Sequence, residues 1–169
     1  SFIMVGTPLS MHEMHGHSLE STKWVIQSHI AAMFLPTFFT PFLTKILGVR
    51  KLTTLGLILF CLASFVGFSD SSTIGFWIHL VLLGLGWNFL FFSATTILPQ
   101  TYAPEHKFKA QTINDTVVLS FQAFAALSAG LALNYFGWKS MIVLCVIPIF
   151  LMIIVLFWER GLKNKLNNI

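Results

Sequence analysis

The sequence has little charge. Charged residues make up 9% of its 169 positions, with only 6 acidic side chains, where soluble domains carry roughly 25%. Apolar residues reach 56%. A soluble domain of this size is therefore a poor reading. Segments of alternating apolar and polar residues are also missing, which argues against a membrane β-barrel. There is no Ser/His/Asp set, no His-Glu-x-x-His and no pair of carboxylates inside an apolar run. An intramembrane enzyme is accordingly the weakest functional class, and no cofactor is implied. The formal net charge is +4, yet the cations sit at the ends of apolar runs. Phosphate recognition would need a contiguous basic stripe, so nucleic acid is not an expected partner. The 2 cysteines, Cys61 and Cys145, each lie inside an apolar run and read as buried free thiols. The chain opens at Ser1 without Met, a basic leader region or a cleavage pattern. That opening leads us to expect a piece of a longer protein.

What the sequence does contain is a series of long apolar runs. A hydrocarbon core of about 30 Å needs roughly 20 apolar residues per helix. The runs are organised around Pro41 to Lys51, where Lys45, Arg50 and Lys51 occupy the short gap between two of them. Gly48 is placed to end a helix in the left-handed conformation. The spacing predicts an all-α integral membrane protein, a six-helix half-bundle of one partial and five full transmembrane helices.

Residues 1–10 read as the end of a partial transmembrane helix and 11–18 as an outer loop. A transmembrane helix follows over 19–46, capped by Ser18 and bent in its inner half by Pro36 and Pro41. The basic inner turn is 47–51, and two further spans cover 52–68 and 74–98. An inner loop over 99–109 leads to spans over 110–133 and 139–158 and a cytoplasmic tail over 159–169. Lys45, Arg50, Lys51, Lys107, Lys109, Arg160, Lys163 and Lys165 fall on one side, and Lys23 and Lys139 on the other. Basic loops stay in the cytoplasm, so the C-terminus is placed there. Trp24, Trp77, Trp138 and Trp158 fall at span ends, the depth this residue favours.

The stretch Pro-Phe-Leu-Thr-Lys-Ile-Leu-Gly-Val-Arg-Lys resembles the inner-loop motif of the major facilitator superfamily, Gly-x-Leu-x-Asp-Arg-x-Gly-Arg-Arg/Lys. Leu43, Gly48, Arg50 and Lys51 match, while Pro41, Lys45 and Ile46 depart from it. Pro8-Leu-Ser-Met, Ile26-Gln-Ser-His, Gly86-Trp-Asn-Phe, Tyr102-Ala-Pro-Glu and Asn114-Asp also resemble the C-terminal half of bacterial members. The resemblance implies a second, N-terminal six-helix half as partner and a substrate path between the halves. It also implies the bacterial inner membrane, with the lipid bilayer as surroundings. The motif's acidic residue anchors a charge network between helices in that family. With Lys45 in its place, that network has no evident carboxylate here.

Several residues stand out as candidates. Asp115 is taken as the ionisable side chain within a span. At 100° per residue it shares a stripe with Gln111, Gln122, Ala125 and Ala129. Intramembrane charge is costly, so the stripe reads as a wall of an aqueous path, or Asp115 as an inner-surface helix cap. Asn114 could bond a neighbouring helix. Asn88 shares a face with Gly84, Phe92 and Thr95, a packing groove or a path wall. Gln27 and His29 lie ~200° apart and cannot both face one cavity. His29 reads as an interhelical hydrogen-bonding group or a proton carrier. Met11-His12-Glu13-Met14-His15-Gly16-His17 has metal-ligating side chains without a structural-zinc spacing, so no metal is assigned.

Three functions remain in competition. The first is a secondary active transporter of a small solute, present as its C-terminal half, with a proton as candidate coupled ion and alternating access between halves. The second is a non-transporting membrane receptor or assembly subunit. The third is a metal-handling membrane protein using the outer His/Met loop. The substrate is not legible.

Overall fold

The computed structural model describes the backbone of residues 1–167 and the side chains of residues 1–159 and Gly161. The tail cations Arg160, Lys163 and Lys165 and the last two residues lie outside the described side chains. The described residues are mostly helical, with no strand among them.

Helix α1, Phe2–Leu9, continues into a π-helical turn, Ser10–Met14, so the segment expected as a loop begins as helix. Met11 explains the difference. Its side chain is fully buried, and the wider turn keeps it in the core. Helix α2, Leu19–Phe34, starts at Ser18, whose hydroxyl accepts from the Ser21 N–H at 3.1 Å. Glu20 in its first turn pairs with Lys23 at 2.7 Å. A 3₁₀ turn at Leu35–Phe38 separates α2 from α3, Thr40–Leu47. Pro36 and Pro41 each remove a backbone donor here, and the axis bends by 59°.

Helix α4, Val49–Ser69, follows α3 with Gly48 alone between them. Gly48 has φ 79° and ψ 153°, a region essentially restricted to glycine, instead of the left-handed helical cap the sequence suggested. A fully extended ψ reverses the chain in one residue. The same device recurs in the last helix. Helix α5 is Thr73–Ile97, and α6 runs Lys107–Asn167 with Gly137 at φ 75° and ψ 172° inside it. Gly137 divides α6 into two arms, before and after it.

Helix α5 is the centre of the bundle and packs on both α4 and α2, while α6 packs on α1 and α4. Small residues bring the α4 and α5 backbones together. A Cβ on Gly86 would lie 3.0 Å from the Gly56 carbonyl oxygen and 2.6 Å from the Phe60 ring. In membranes close backbone approach of this kind is what holds helices together. The core gathers Ile3, Met11, Val25, Phe76, Leu80, Trp138 and Met141, at the end where the histidines lie. The outer surface of α6 is apolar and exposed, with Leu127 82% and Leu131 65% accessible. Among the described residues, three helices are long and apolar enough to cross a membrane, or four if the bent pair is one span. Cys61 is exposed and Cys145 half-buried, both as free thiols. The expected burial of Cys61 is not seen because α4 turns it to the outside of the bundle.

Candidate functional site

A cavity of about 440 Å³ lies inside the bundle. Phe2, Ile3 and Met4 of α1 form one wall, and both arms of α6 face it. Most of the surface is aromatic or aliphatic, with Phe60, Trp87 and Phe121 presenting rings. Five lining residues carry hydrogen-bonding side chains: Ser1, His29, Ser64, His79 and Gln122. Trp87 is held by stacking on Phe91 (centroids 4.8 Å apart) and by an edge contact with Phe34.

The two imidazoles are seated alike. His29, on α2, is 3% exposed and its Nδ1 bonds the Leu80 carbonyl at 2.7 Å. His79, on α5, is 2% exposed and its Nδ1 bonds the Ala63 carbonyl of α4 at 2.6 Å. A carbonyl only accepts, so each Nδ1 carries the hydrogen. In a neutral ring the Nε2 is then an acceptor. His79 Nε2 is buried and has no hydrogen-bond partner. Each ring rests where a glycine leaves room. A Cβ on Gly67 would sit 2.5 Å from His79 Nδ1, and one on Gly84 would sit 3.2 Å from His29 Nδ1. Trp138 closes the far side of His79 edge-on at 5.7 Å and donates its Nε1–H to the Gly67 carbonyl at 3.0 Å.

The residues singled out by sequence fall in different places. Gln122 is on the cavity wall together with Ala125. Gln111, half-buried, and Asp115, exposed, lie closer to the start of α6 and do not line the cavity. Asn114 donates to Asp115 Oδ1 at 3.0 Å, a local bond in place of the interhelical one expected. Gln27 is exposed and His29 buried, as their angular separation on one helix requires.

Asn88 is buried and turned to the broken helix. Its Nδ2 donates to the Met33 carbonyl and to Thr37 Oγ1, and its Oδ1 accepts from Thr40 Oγ1, all at 2.8 Å. These bonds satisfy polar groups at the bend between α2 and α3. In the inner-loop motif, Leu43 is half-buried, Lys51 exposed, and Arg50 pairs with Glu159 of α6 at 2.6 Å. This pair ties α4 to α6 across 109 residues of sequence.

Each histidine of the histidine-rich segment commits at least one ring nitrogen to the protein. His12 Nδ1 donates to the His17 carbonyl, and His15 Nδ1 to the Ser10 carbonyl. His17 Nε2 donates to the Ser71 carbonyl at 2.9 Å, while its Nδ1 accepts from Thr73 Oγ1. No group of three or more ligating side chains converges among the described residues.

His79 was missed by the sequence reading, although it too is an ionisable side chain inside a span. Its signal was available, since a titratable ring within an apolar run needs a partner or a cavity. Phe60 and Ser64 gave no such signal.

An exposed apolar surface, long apolar helices and an internal cavity with few polar groups define a polytopic helical membrane protein. The chain belongs to the major facilitator superfamily, whose family model matches residues 1–168. It is 36% identical over 140 residues to the riboflavin transporter RfnT of Brucella anthropi, covering 83% of this chain and 35% of that protein. With the uncharacterized MFS-type transporter YdeG of Bacillus subtilis it shares 35% over 165 residues, covering 94% of this chain and 37% of the relative. YddS of the same organism, also an uncharacterized MFS-type transporter, is 31% identical over 168 residues, covering 96% and 38%. The chain thus spans between 35% and 38% of the length of these curated relatives. No solved structure matches it. The family and the named relatives point to a transporter and not to an enzyme.

Proposed function

We propose that this chain is the C-terminal six-helix half of a secondary active transporter for a small solute, working by alternating access against an N-terminal half. Counting the bent α2–α3 pair as one span and α6 as two, divided at Gly137, gives the six. The basic end, with Lys45, Arg50, Lys51, Lys107 and Lys109, faces the cytoplasm, and the membrane is the bacterial inner membrane. Gln111 and Asp115 lie on the cytoplasmic approach to Gln122, with Asp115 serving an inner gate or proton coupling.

The observation that carries this reading is the cavity. Its volume is within the roughly 300–1,000 Å³ of small-molecule sites, and its lining sets the rings of Phe2, Phe60, Trp87 and Phe121 against a few hydrogen-bonding groups. Such a wall suits a flat, weakly charged heteroaromatic solute. The relative named as a riboflavin transporter supports the same class. The test is uptake into proteoliposomes by the full gene product, with riboflavin as first probe, with and without a pH gradient. Accumulation above protein-free vesicles supports the reading. Uptake of no solute across a broad panel would favour a receptor or assembly role.

A further inference from the structure

We propose that the seam between α4 and the second arm of α6 binds one anionic phospholipid, with an acyl chain in the seam and the phosphate on Arg50 and Lys51. The inference needs only that these helices stand in a membrane, and it goes beyond the transporter reading. A groove of about 230 Å³ runs along the seam. Leu57 is its buried floor, and Ile153 and Leu156 of α6 are its half-buried wall. Ile58, Leu62 and Phe157 form an exposed rim, so the groove opens to the outside of the bundle. Its one hydroxyl, on Thr54, donates to the Arg50 carbonyl at 3.0 Å. The lining therefore offers a solute almost nothing to hydrogen-bond, and suits a hydrocarbon chain.

The headgroup follows from what stands at the basic end of the groove. On α4, Arg50 shares a helical stripe with Thr54, Leu57 and Cys61, and Lys51 shares one with Ile58 and Leu62. The two cations thus head the two flanks of the lining. Arg50 also bonds Glu159 across the seam at 2.6 Å, which closes that end of the groove. The bond leaves from one nitrogen of a guanidinium that has five N–H donors in all. Two cations against one carboxylate leave the mouth with an excess positive charge. The sequence beyond Glu159 adds Arg160, Lys163 and Lys165 and no acid. Basic groups between helices at the headgroup level favour anionic lipids, and a zwitterionic headgroup brings no net charge to them. The length agrees as well. Thr54 to Leu62 spans about 12 Å of helix, most of the roughly 15 Å that one leaflet contributes to a hydrocarbon core of about 30 Å. A lipid anchored by its phosphate at Arg50 and Lys51 therefore lays one chain along the groove.

The test counts bound lipid. The full gene product is purified in a nonionic detergent, stripped of lipid and titrated with phosphatidylglycerol, or with phosphatidylcholine of the same acyl chains. Native mass spectrometry then reads how many lipids each protein retains. The wild type should hold one more phosphatidylglycerol than Cys61→Phe, whose added ring fills the groove from its exposed side. Lys51→Gln keeps the groove open and should weaken that one site roughly fivefold, the effect of removing one cation near the headgroups. Phosphatidylcholine should not occupy the site at matched concentration. Equal phosphatidylglycerol counts in the wild type and C61F overturn the proposal and would mean that another part of the full chain covers the seam. Equal occupancy by the two lipids, or an unchanged affinity in K51Q, overturns the anionic assignment. If C61F does not fold, K51Q decides alone, because it alters an exposed side chain. Transport is not measured, so failure here leaves the transporter reading intact, and failure of uptake leaves this proposal intact.

Discussion

Replacing Asn88 with Leu should destabilise the bend between α2 and α3 more than any other single polar substitution in the bundle. Three hydrogen bonds end on this amide, to the Met33 carbonyl, Thr37 Oγ1 and Thr40 Oγ1. In membrane proteins such side-chain bonds average about 0.6 kcal/mol and reach about 1.7, so three give roughly 2 kcal/mol. Leu leaves the Met33 carbonyl without its side-chain donor beside Pro36, which adds about 1–3 kcal/mol for a buried unsatisfied group. Thr40 suffers less, because its single hydroxyl hydrogen can turn to the Pro36 carbonyl at 2.7 Å. The expected loss is therefore about 4 kcal/mol, within a range of about 3–5. Equilibrium unfolding of the full gene product in mixed micelles would measure it. Thr37→Val removes a single bond and should cost about 0.6 kcal/mol. A double-mutant cycle between Asn88→Leu and Thr40→Val should give a coupling of about 0.5 kcal/mol or more, as expected for contacting residues. A loss below about 0.5 kcal/mol for Asn88→Leu, with zero coupling, would show that the bend stands without Asn88.

Other outcomes follow from the same geometry. Gly67→Ala should push the His79 ring off the Ala63 carbonyl and cost about 1–3 kcal/mol by overpacking, read as a lower melting temperature; an unchanged melt would mean that α4 and α5 can separate freely there. Asp115→Asn should slow uptake several-fold at equal expression and flatten its pH dependence, whereas wild-type rates and pH profile would leave Asp115 as a helix cap only. The Ser72 backbone N–H and hydroxyl hold the Asp70 carboxyl below its ordinary value. That depressed value means the carboxylate's contribution is present at neutral pH and is lost as pH falls through the folded-state pKa. Asp70→Asn should therefore remove this acid-range component from a plot of melting temperature against pH, and an identical slope would count against it.

The parts of the fold that were legible are those written locally in the chain. Ser18 could be read as a cap because capping is decided within three residues. Pro36 and Pro41 announced the break in the same way, since a missing donor acts at its own turn. Gly48 signalled a chain reversal, though its ψ of 153° shows an extended link where a helical cap was expected. Pairings across the bundle were not legible. Asn88 meets partners 48 to 55 residues away, and Arg50 meets Glu159 from 109 away. Such distances leave no period to read. Of the residues proposed for the solute path, Gln122 and His29 line the cavity, while Asn88 serves the bend and Gln27 faces outward. Helical phase placed Asp115 and Gln122 on one stripe but could not say where along it the cavity ends. His79 could have been flagged as a titratable ring within an apolar run, but its seat could not be read, because the glycine that makes room for it lies on a different helix.

The central claim is that this cavity holds the transported solute. Substrate protection of a cysteine placed on its wall tests it most directly. In the full gene product, Cys61 and Cys145 are first replaced by serine. A single cysteine is then introduced by Ala125→Cys on the wall, or by Leu127→Cys on the exposed surface. With riboflavin as the solute, labelling of A125C by a small maleimide should slow in proportion to the riboflavin added, while L127C should label at one rate throughout. Equal labelling of A125C with and without saturating riboflavin, in protein that transports it, would place the solute elsewhere and contradict the account.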